Sequence, residues 1–421
     1  MLLTRDSPTQ LSPNRASVLT DLRSELRKSR EETDRLFTLI TPEDIYVRPL
    51  PQRHRMIFYL GHLEAFDWNQ LGRFGLRQGH LHPTFDQLFE RGIDPEPGEL
   101  PADQPKDWPS LAETQSYIAN VRAHIDDLWD QAPPQIQQTA IEHRWMHAET
   151  LAYLLHNLPV EQKRRPASSL AGYREGPHVS HRFIDIPEGV ATLGRSRDSG
   201  FGWDNEFPEI HEDVPAFSIY RHKVTNRDYL EFVHEGNPAP HFWFHRENAW
   251  FYRGMFEWVP LPLDAPVYVT QEQAAAYAYS RGAMLPTEAQ FHRAAFGAPE
   301  GGERQTPWGD TAQPAGEFGN FDFQHWDPVA VTDYPQGVSA FGVEQLVGNG
   351  WEWTRTPFGP FPGFKSESNY PGYSADFFDD KHYVLKGASP RTAALLTRRS
   401  LRNWFRPDYP YLYATFRLVE N

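Results

Sequence analysis

A two-domain protein is expected, with an N-terminal four-helix bundle followed by an α+β domain that has little regular structure. Three observations predict it. The chain has 421 residues, more than one core of about 150 residues usually organises. Up to about residue 160 the apolar side chains recur at helical spacing. After about residue 165 that pattern gives way to short aromatic segments broken by Gly and Pro, which number 29 and 37 in the whole chain. The change falls between Lys163 and Pro177 and divides the chain into residues 1–165 and 178–421.

Each helix has its own signal. Leu19, Leu22, Leu26, Leu36 and Ile40 recur near helical spacing until Pro42 stops the run. A second helix is expected over His54 to Leu76. A third spans Ser110 to Asp130, with Ile118, Val121, Ile125 and Leu128 on one stripe. The fourth begins after Pro133 and Pro134 and reaches Asn157, where Leu158 and Pro159 end it. The stretch from Arg77 to Pro109, rich in proline, reads as a long connection. Beyond residue 177 the pattern changes to short segments such as HRFIDIP and FSIYRHKVTN, with helical islands at Asn226 to His234 and Thr270 to Arg281. No internal repeat is present.

Composition excludes several function classes. There is no cysteine, so disulfides, thiolate zinc sites, iron–sulfur clusters and a cysteine nucleophile are ruled out together, and any metal must be held by His or carboxylate. Forty-one basic against 56 acidic side chains leave a formal charge of −15, which repels phosphate backbones and anionic membranes. Neither nucleic acid nor a membrane is an expected partner. No apolar run approaches the roughly 18 residues that span a bilayer. The opening MLLTRDSPTQLSPNR lacks the apolar stretch and cleavage site of a signal peptide. A cytoplasmic location is expected.

The sharpest local feature is the pair His143 and His147, one helical turn apart in the fourth helix. Their face continues through Ile136, Ala140, Leu151 and Leu154, so both imidazoles lie on the apolar stripe. His62 shares a similar stripe with Phe58, Phe66 and Asn69 in the second helix. Three inward, neutral imidazoles from two helices supply ligands on one side of a metal and leave positions open for substrate and oxygen, as non-haem iron chemistry needs. A set of hydrogen-bonded core histidines is the competing reading. The pairs His80/His82 and His178/His181 fall in expected loops and read as solvated. Near the end, RNWFRPDYPYLYATFRL combines guanidinium, carboxamide and aromatic groups suited to a zwitterionic ligand, or else forms the edge of an aromatic core.

These motifs resemble a known family. His62 in GHLEAFDWN, with the later HxxxH followed by Ala-Glu-Thr-Leu, is similar to the DinB-like four-helix domain of the ergothioneine sulfoxide synthases of the EgtB type. GFGWDNE, VTNRDYLEF, MLPTEAQFHRAA, GNGWEWTRTPF, YVLKGAS and RNWFRPDYPYLYATFRLV resemble the formylglycine-generating-enzyme fold, an α+β domain of C-type-lectin-like kind. The resemblance implies an Fe(II) enzyme that uses dioxygen to couple a thiol, cysteine or gamma-glutamylcysteine, to the imidazole C2 of histidine betaine (hercynine). By the same match His62, His143 and His147 are the metal ligands, and Asn403 and Trp404 face the betaine. Tyr373 is the nearest match to the family's tyrosine acid or redox partner, with an aromatic loop anchor as its other reading. Arg406 is a candidate carboxylate partner for the thiol substrate, because a planar guanidinium can engage a carboxylate bidentately.

Some positions depart from the pattern. Many members carry a Glu after the first His of the pair and a Gln before the second, where this chain has Arg144 and Met146. Met146 therefore occupies a substrate-binding position without the amide's hydrogen bonds. The usual Gly-Gly-Ser-Trp becomes Gly387 to Pro390, and a loop with paired tyrosines is replaced by LFERGIDP. Three alternatives follow: a homologue that uses a selenol donor (selenoneine type) or makes a 5-thiohistidine; a formylglycine-generating enzyme proper, disfavoured by the absence of cysteine; and a non-catalytic binding protein on the same scaffold.

Overall fold

The computed structural model describes residues 21–92, 100–167, 173, 176–180, 182–310 and 315–420. Leu19 and His181 lie outside them. Among the described residues five α-helices form the first part: α1 (Leu22–Phe37), α2 (Met56–Asp67), α3 (Pro83–Arg91), α4 (Leu111–Leu128) and α5 (Pro134–Asn157). Four of them are the expected bundle helices. The fifth, α3, corrects the reading of Arg77 to Pro109 as a plain connection. Pro83 occupies the first turn, where a missing N–H costs nothing, and the His82 ring accepts from the Phe85 N–H. His80 and His82 are exposed, as expected, although His80 Nδ1 lies 3.0 Å from an Asp86 carboxylate oxygen.

The second helix also differs from expectation. It starts at Met56 and widens into a π-helical turn over Trp68–Gly75. Gly72 permits this turn, because a Cβ there would lie 2.5 Å from the Trp68 ring. The turn presents Gln70 to the second part of the chain, where its Nε2 donates to the Asn369 backbone carbonyl at 2.9 Å and its Oε1 accepts from Asn369 Nδ2 at 3.0 Å.

Among the described residues the second part holds four small sheets. β1 (Phe183–Ile186), β4 (Phe217–Tyr220) and β12 (Val419–Glu420) form one, and β2 (Gly189–Leu193) pairs with β3 (Ile210–Val214). β5 (Trp243–Arg246), β6 (Ala249–Arg253) and β7 (Trp258–Pro260) make a meander. The largest sheet has the order β10 (Asn403–Phe405), β9 (Tyr383–Ala388), β8 (Gly350–Pro357) and β11 (Ala414–Thr415). α6 (Asn226–His234) and α7 (Gln271–Ser280) appear where expected. α8 (Glu288–Phe296) is additional, and its start is a capping box between Thr287 and Gln290. Among the described residues no helix is long and apolar enough to cross a membrane.

One apolar core runs through both parts, from Leu151 and Leu154 of α5 to Trp351, Trp353 and Tyr413. α5 is its spine. The sequence suggests one buried stripe, but α5 is buried almost all round because one face meets the bundle and the other meets the second part. Its charges are therefore paired individually. Arg144, fully buried, reaches Asp67 at 2.6 Å and Glu64 at 3.0 Å, so the departure at this position completes an ion cluster inside the bundle. Glu149 accepts from Trp351 Nε1, Ser389 Oγ and Thr392 Oγ1 at 2.6 to 2.8 Å. Glu142 meets Arg398 and Trp203.

His156 closes the last turn of α5. Its Nε2 donates to the Arg253 carbonyl at 2.7 Å, leaving Nδ1 to accept from the Tyr413 hydroxyl at 3.0 Å. Burial, with Lys163 nearby, holds its pKa well below that of an ordinary histidine. Its neutral form therefore contributes stability that is fully present above the unfolded pKa of about 6.5 and is lost as pH falls below it. The stability gap between wild type and His156→Gln should accordingly narrow on acidification, by up to about 1.4 kcal/mol per pH unit. Urea unfolding at pH 7.5, 6.5 and 5.5 checks this, and a constant gap contradicts it.

Candidate metal centre

α2 supplies His62 and α5 supplies His143 and His147, on the two helices that the spacing indicated. One ring nitrogen from each lies within 4.8 Å of the others, the three-histidine cluster found among the described residues. Ring packing holds them in place. Phe66 stacks on His143 with centroids 3.4 Å apart, and Phe58 stacks on His62 at 4.8 Å. His62 Nδ1 lies 2.7 Å from the Phe89 carbonyl. A carbonyl only accepts, so Nδ1 carries the proton and Nε2 keeps its lone pair for a ligand. Gly61 makes this contact possible, since a Cβ there would lie 2.4 Å from the Phe89 ring.

Electrostatics favour neutral, ligating imidazoles. Burial pushes His62 down to about pKa 4, despite the opposing Phe89 hydrogen bond. His143 and His147 lie well below the usual histidine range, first through burial and then through neighbouring imidazoles. Nδ1 of His143 and of His147 is buried without a hydrogen-bond partner. Two buried imidazoles and a partly buried third, converging with available lone pairs, fit a divalent transition metal held on one side. They fit poorly as ordinary core histidines, whose nitrogens are normally satisfied.

A cavity of about 760 Å³ opens beside His147, between α5 and the second part. Asn403, Trp404, Arg406, Tyr373 and Met146 all line it, so residues far apart in sequence share one site. Trp404 lies flat against Phe358 at 4.3 Å and edge-on to Tyr373 at 5.4 Å. Asn403 Oδ1 accepts from the Trp404 N–H. Tyr373 stacks on Trp203 at 4.1 Å, and its hydroxyl donates to the Met146 sulfur at 3.3 Å. Burial keeps that phenol protonated, with its pKa well above the usual value. Arg406 stands at the rim with a side chain 56 % exposed, its guanidinium 4.0 Å from Asp379. Sequence reasoning missed Arg53, Tyr153 and Tyr409 on the same cavity. Tyr153 was accessible to it, because Met146, Thr150 and Tyr153 follow one another at helical spacing beside His147.

Comparison with known proteins agrees with this architecture. Residues 25–158 match the DinB superfamily, and residues 174–421 match the Sulfatase-modifying factor enzyme 1-like domain. The hercynine oxygenase of Mycolicibacterium thermoresistibile is 32% identical, over 94% of this chain and 95% of that protein. The hercynine oxygenase of Mycolicibacterium smegmatis is also 32% identical, over 94% and 98%. Ergothioneine biosynthesis protein 1 of Schizosaccharomyces pombe is 27% identical, over 91% of this chain and 54% of its own length. With both halves matched in order and nearly full-length similarity, the chain belongs to the hercynine oxygenase family and is an oxygen-dependent oxidoreductase.

Proposed function

We propose that this protein is an Fe(II)-dependent sulfoxide synthase of ergothioneine formation. It joins the sulfur of a thiol, cysteine or gamma-glutamylcysteine, to C2 of the hercynine imidazole. Thiol, imidazole C–H and dioxygen give the sulfoxide and one water, so four electrons leave the two organic substrates and reduce dioxygen. The observation that carries the reading is the convergence of three neutral imidazoles, one of which, His147, lines a cavity that also holds Tyr373, Asn403 and Trp404. The names of the relatives support the substrate. In this reading residues 1–165 hold the metal and the organic substrates are recognised mainly by residues 178–421.

Iron(II) held by His62, His143 and His147 supplies the electron-transfer chemistry with dioxygen. The remaining tasks fall to the chain itself. Trp404, fixed by Phe358, offers an indole face to the trimethylammonium group, worth about 0.5 to 2 kcal/mol. Asn403 orients the same end of the betaine. Met146 gives the imidazole an apolar neighbour in place of an amide and accepts the Tyr373 hydroxyl instead. Tyr373 holds a proton at its hydroxyl beside the reacting groups, ready for donation. Arg406 at the rim takes the carboxylate of the thiol.

Oxygen uptake by the iron-loaded protein should require both hercynine and a thiol. Tyr373→Phe should lower kcat about a hundredfold or more while KM for hercynine stays within about threefold. Steady-state oxygen-electrode kinetics test both points. Uptake that is indifferent to hercynine overturns the reading, and an unchanged kcat removes Tyr373 from the chemistry.

A further inference from the structure

Arg53 lies just before α2, on the wall of the cavity that holds His147. Its Nε donates to the Tyr409 hydroxyl at 3.1 Å and its Nη2 to the Tyr153 hydroxyl at 2.9 Å. The guanidinium also sits over both rings, 5.9 Å from the Tyr153 centroid and 5.5 Å from that of Tyr409. The remaining nitrogen, Nη1, has no hydrogen bond within the described protein and is not sealed away from the cavity. Among the described residues no carboxylate pairs with Arg53, and the groups that act on its charge most strongly are Tyr153, Tyr409 and Tyr59.

Several arginines of the interior are neutralised by acids, and Arg293, which is not, is satisfied by the Pro187 and Glu188 backbone carbonyls. Arg144 has Asp67 and Glu64, Arg398 has Glu142 and Glu206, and Arg417 has Glu352. A guanidinium drawn from water normally needs an anion, because phenols solvate the charge but do not neutralise it. Here the two phenols aim the fork and leave one edge facing the cavity. Tyr153 is two turns along α5 from Met146, about 10 Å. The guanidinium is therefore braced by a residue two helical turns from the Met146 that meets Tyr373, while its charge is still felt at His147.

We infer that Arg53, braced by Tyr153 and Tyr409, is an anion-binding subsite that receives a substrate carboxylate in the cavity beside the three histidines. The inference rests on the proposed substrate reading and adds a recognition group to it. Both the betaine and an amino-acid thiol carry a carboxylate, and the chemistry at Arg53 is the same for either. A charge-assisted, two-pronged contact of this kind discriminates by ten- to a hundredfold.

The test uses the full chain, wild type and Arg53→Gln, loaded anaerobically with Fe(II). Binding is measured by calorimetry for two pairs of probes that differ in a carboxylate, hercynine against trimethylhistamine and cysteine against cysteamine. In wild type, one pair should show at least a tenfold preference for the carboxylate-bearing member. In Arg53→Gln that preference should fall to within about twofold, while the carboxylate-free member binds as before. The pair that responds identifies the substrate whose carboxylate is held. Arg53→Lys, which keeps the charge but not the fork, should recover part of the preference, and iron content and thermal midpoint report whether each variant is folded. A preference that survives in Arg53→Gln, or equal losses for both members of a pair, overturns the assignment. A wild type that binds hercynine and cysteine without any carboxylate preference overturns it too, and one that binds none of the four probes overturns the substrate reading together with it.

Discussion

His147→Ala should abolish iron binding and, with it, turnover. Wild type reconstituted anaerobically should retain about one iron per chain, since the three imidazoles converge on a single point. The alanine variant should retain less than about a tenth of that after desalting, because the two remaining nitrogens come from different helices and leave a half-formed site. His62→Ala and His143→Ala should behave alike. Alanine at these positions leaves space where an imidazole stood, so circular dichroism should show whether the helices persist. Elemental analysis decides the matter, and iron content equal in wild type and all three variants contradicts the site.

The second large effect is on stability. Arg398 of the second part reaches into the boundary and binds two buried carboxylates at once. Its Nη1 and Nη2 donate to Glu142 of α5 at 2.8 and 2.9 Å, and its Nε donates to Glu206 at 2.7 Å. Burial pushes Glu142 up despite Arg398. For Glu206, burial pulls the same way, but Arg398 outweighs it and holds that carboxylate below its usual range. Arg398→Met should cost about 3 to 5 kcal/mol, because removing the cation strands two acids in a low-dielectric boundary. Glu142→Gln in the same background should restore part of the loss by relieving one of the two acids. Urea unfolding measures both, and a cost below about 1 kcal/mol for Arg398→Met contradicts the clamp.

What the sequence revealed and what it hid have a common physical basis. The three histidines were legible because each shares a helix with apolar neighbours at the same period, and the periodicity that marks a buried face also marks what it carries inward. α6 was legible by its own local pattern. α3 was missed because Pro83 reads as a breaker when it in fact starts a helix, and α8 because the Thr287–Gln290 cap lies in a short segment that is nearly all buried. The partners of Glu142, Arg144 and Glu149 lie 61 to 256 residues away, or across the bundle, so local pattern could not name them. Arg144 and Met146 are departures from the family pattern whose surroundings the structure supplies: Arg144 joins the acids of the bundle, and Met146 meets Tyr373. Arg53 was invisible for the opposite reason, because its significance lies in the carboxylate partner it does not have.

The central claim is that the cavity beside the three histidines joins sulfur to the imidazole carbon. Hercynine deuterated at C2 tests it most directly, with deuterium release to solvent measured against oxygen consumed in the presence of cysteine or gamma-glutamylcysteine. The account predicts one deuterium released per dioxygen, with a product in which carbon 2 carries sulfur. Oxygen consumption at the same rate with the C2 deuterium fully retained would show that the protein only oxidises the thiol, and would contradict the account.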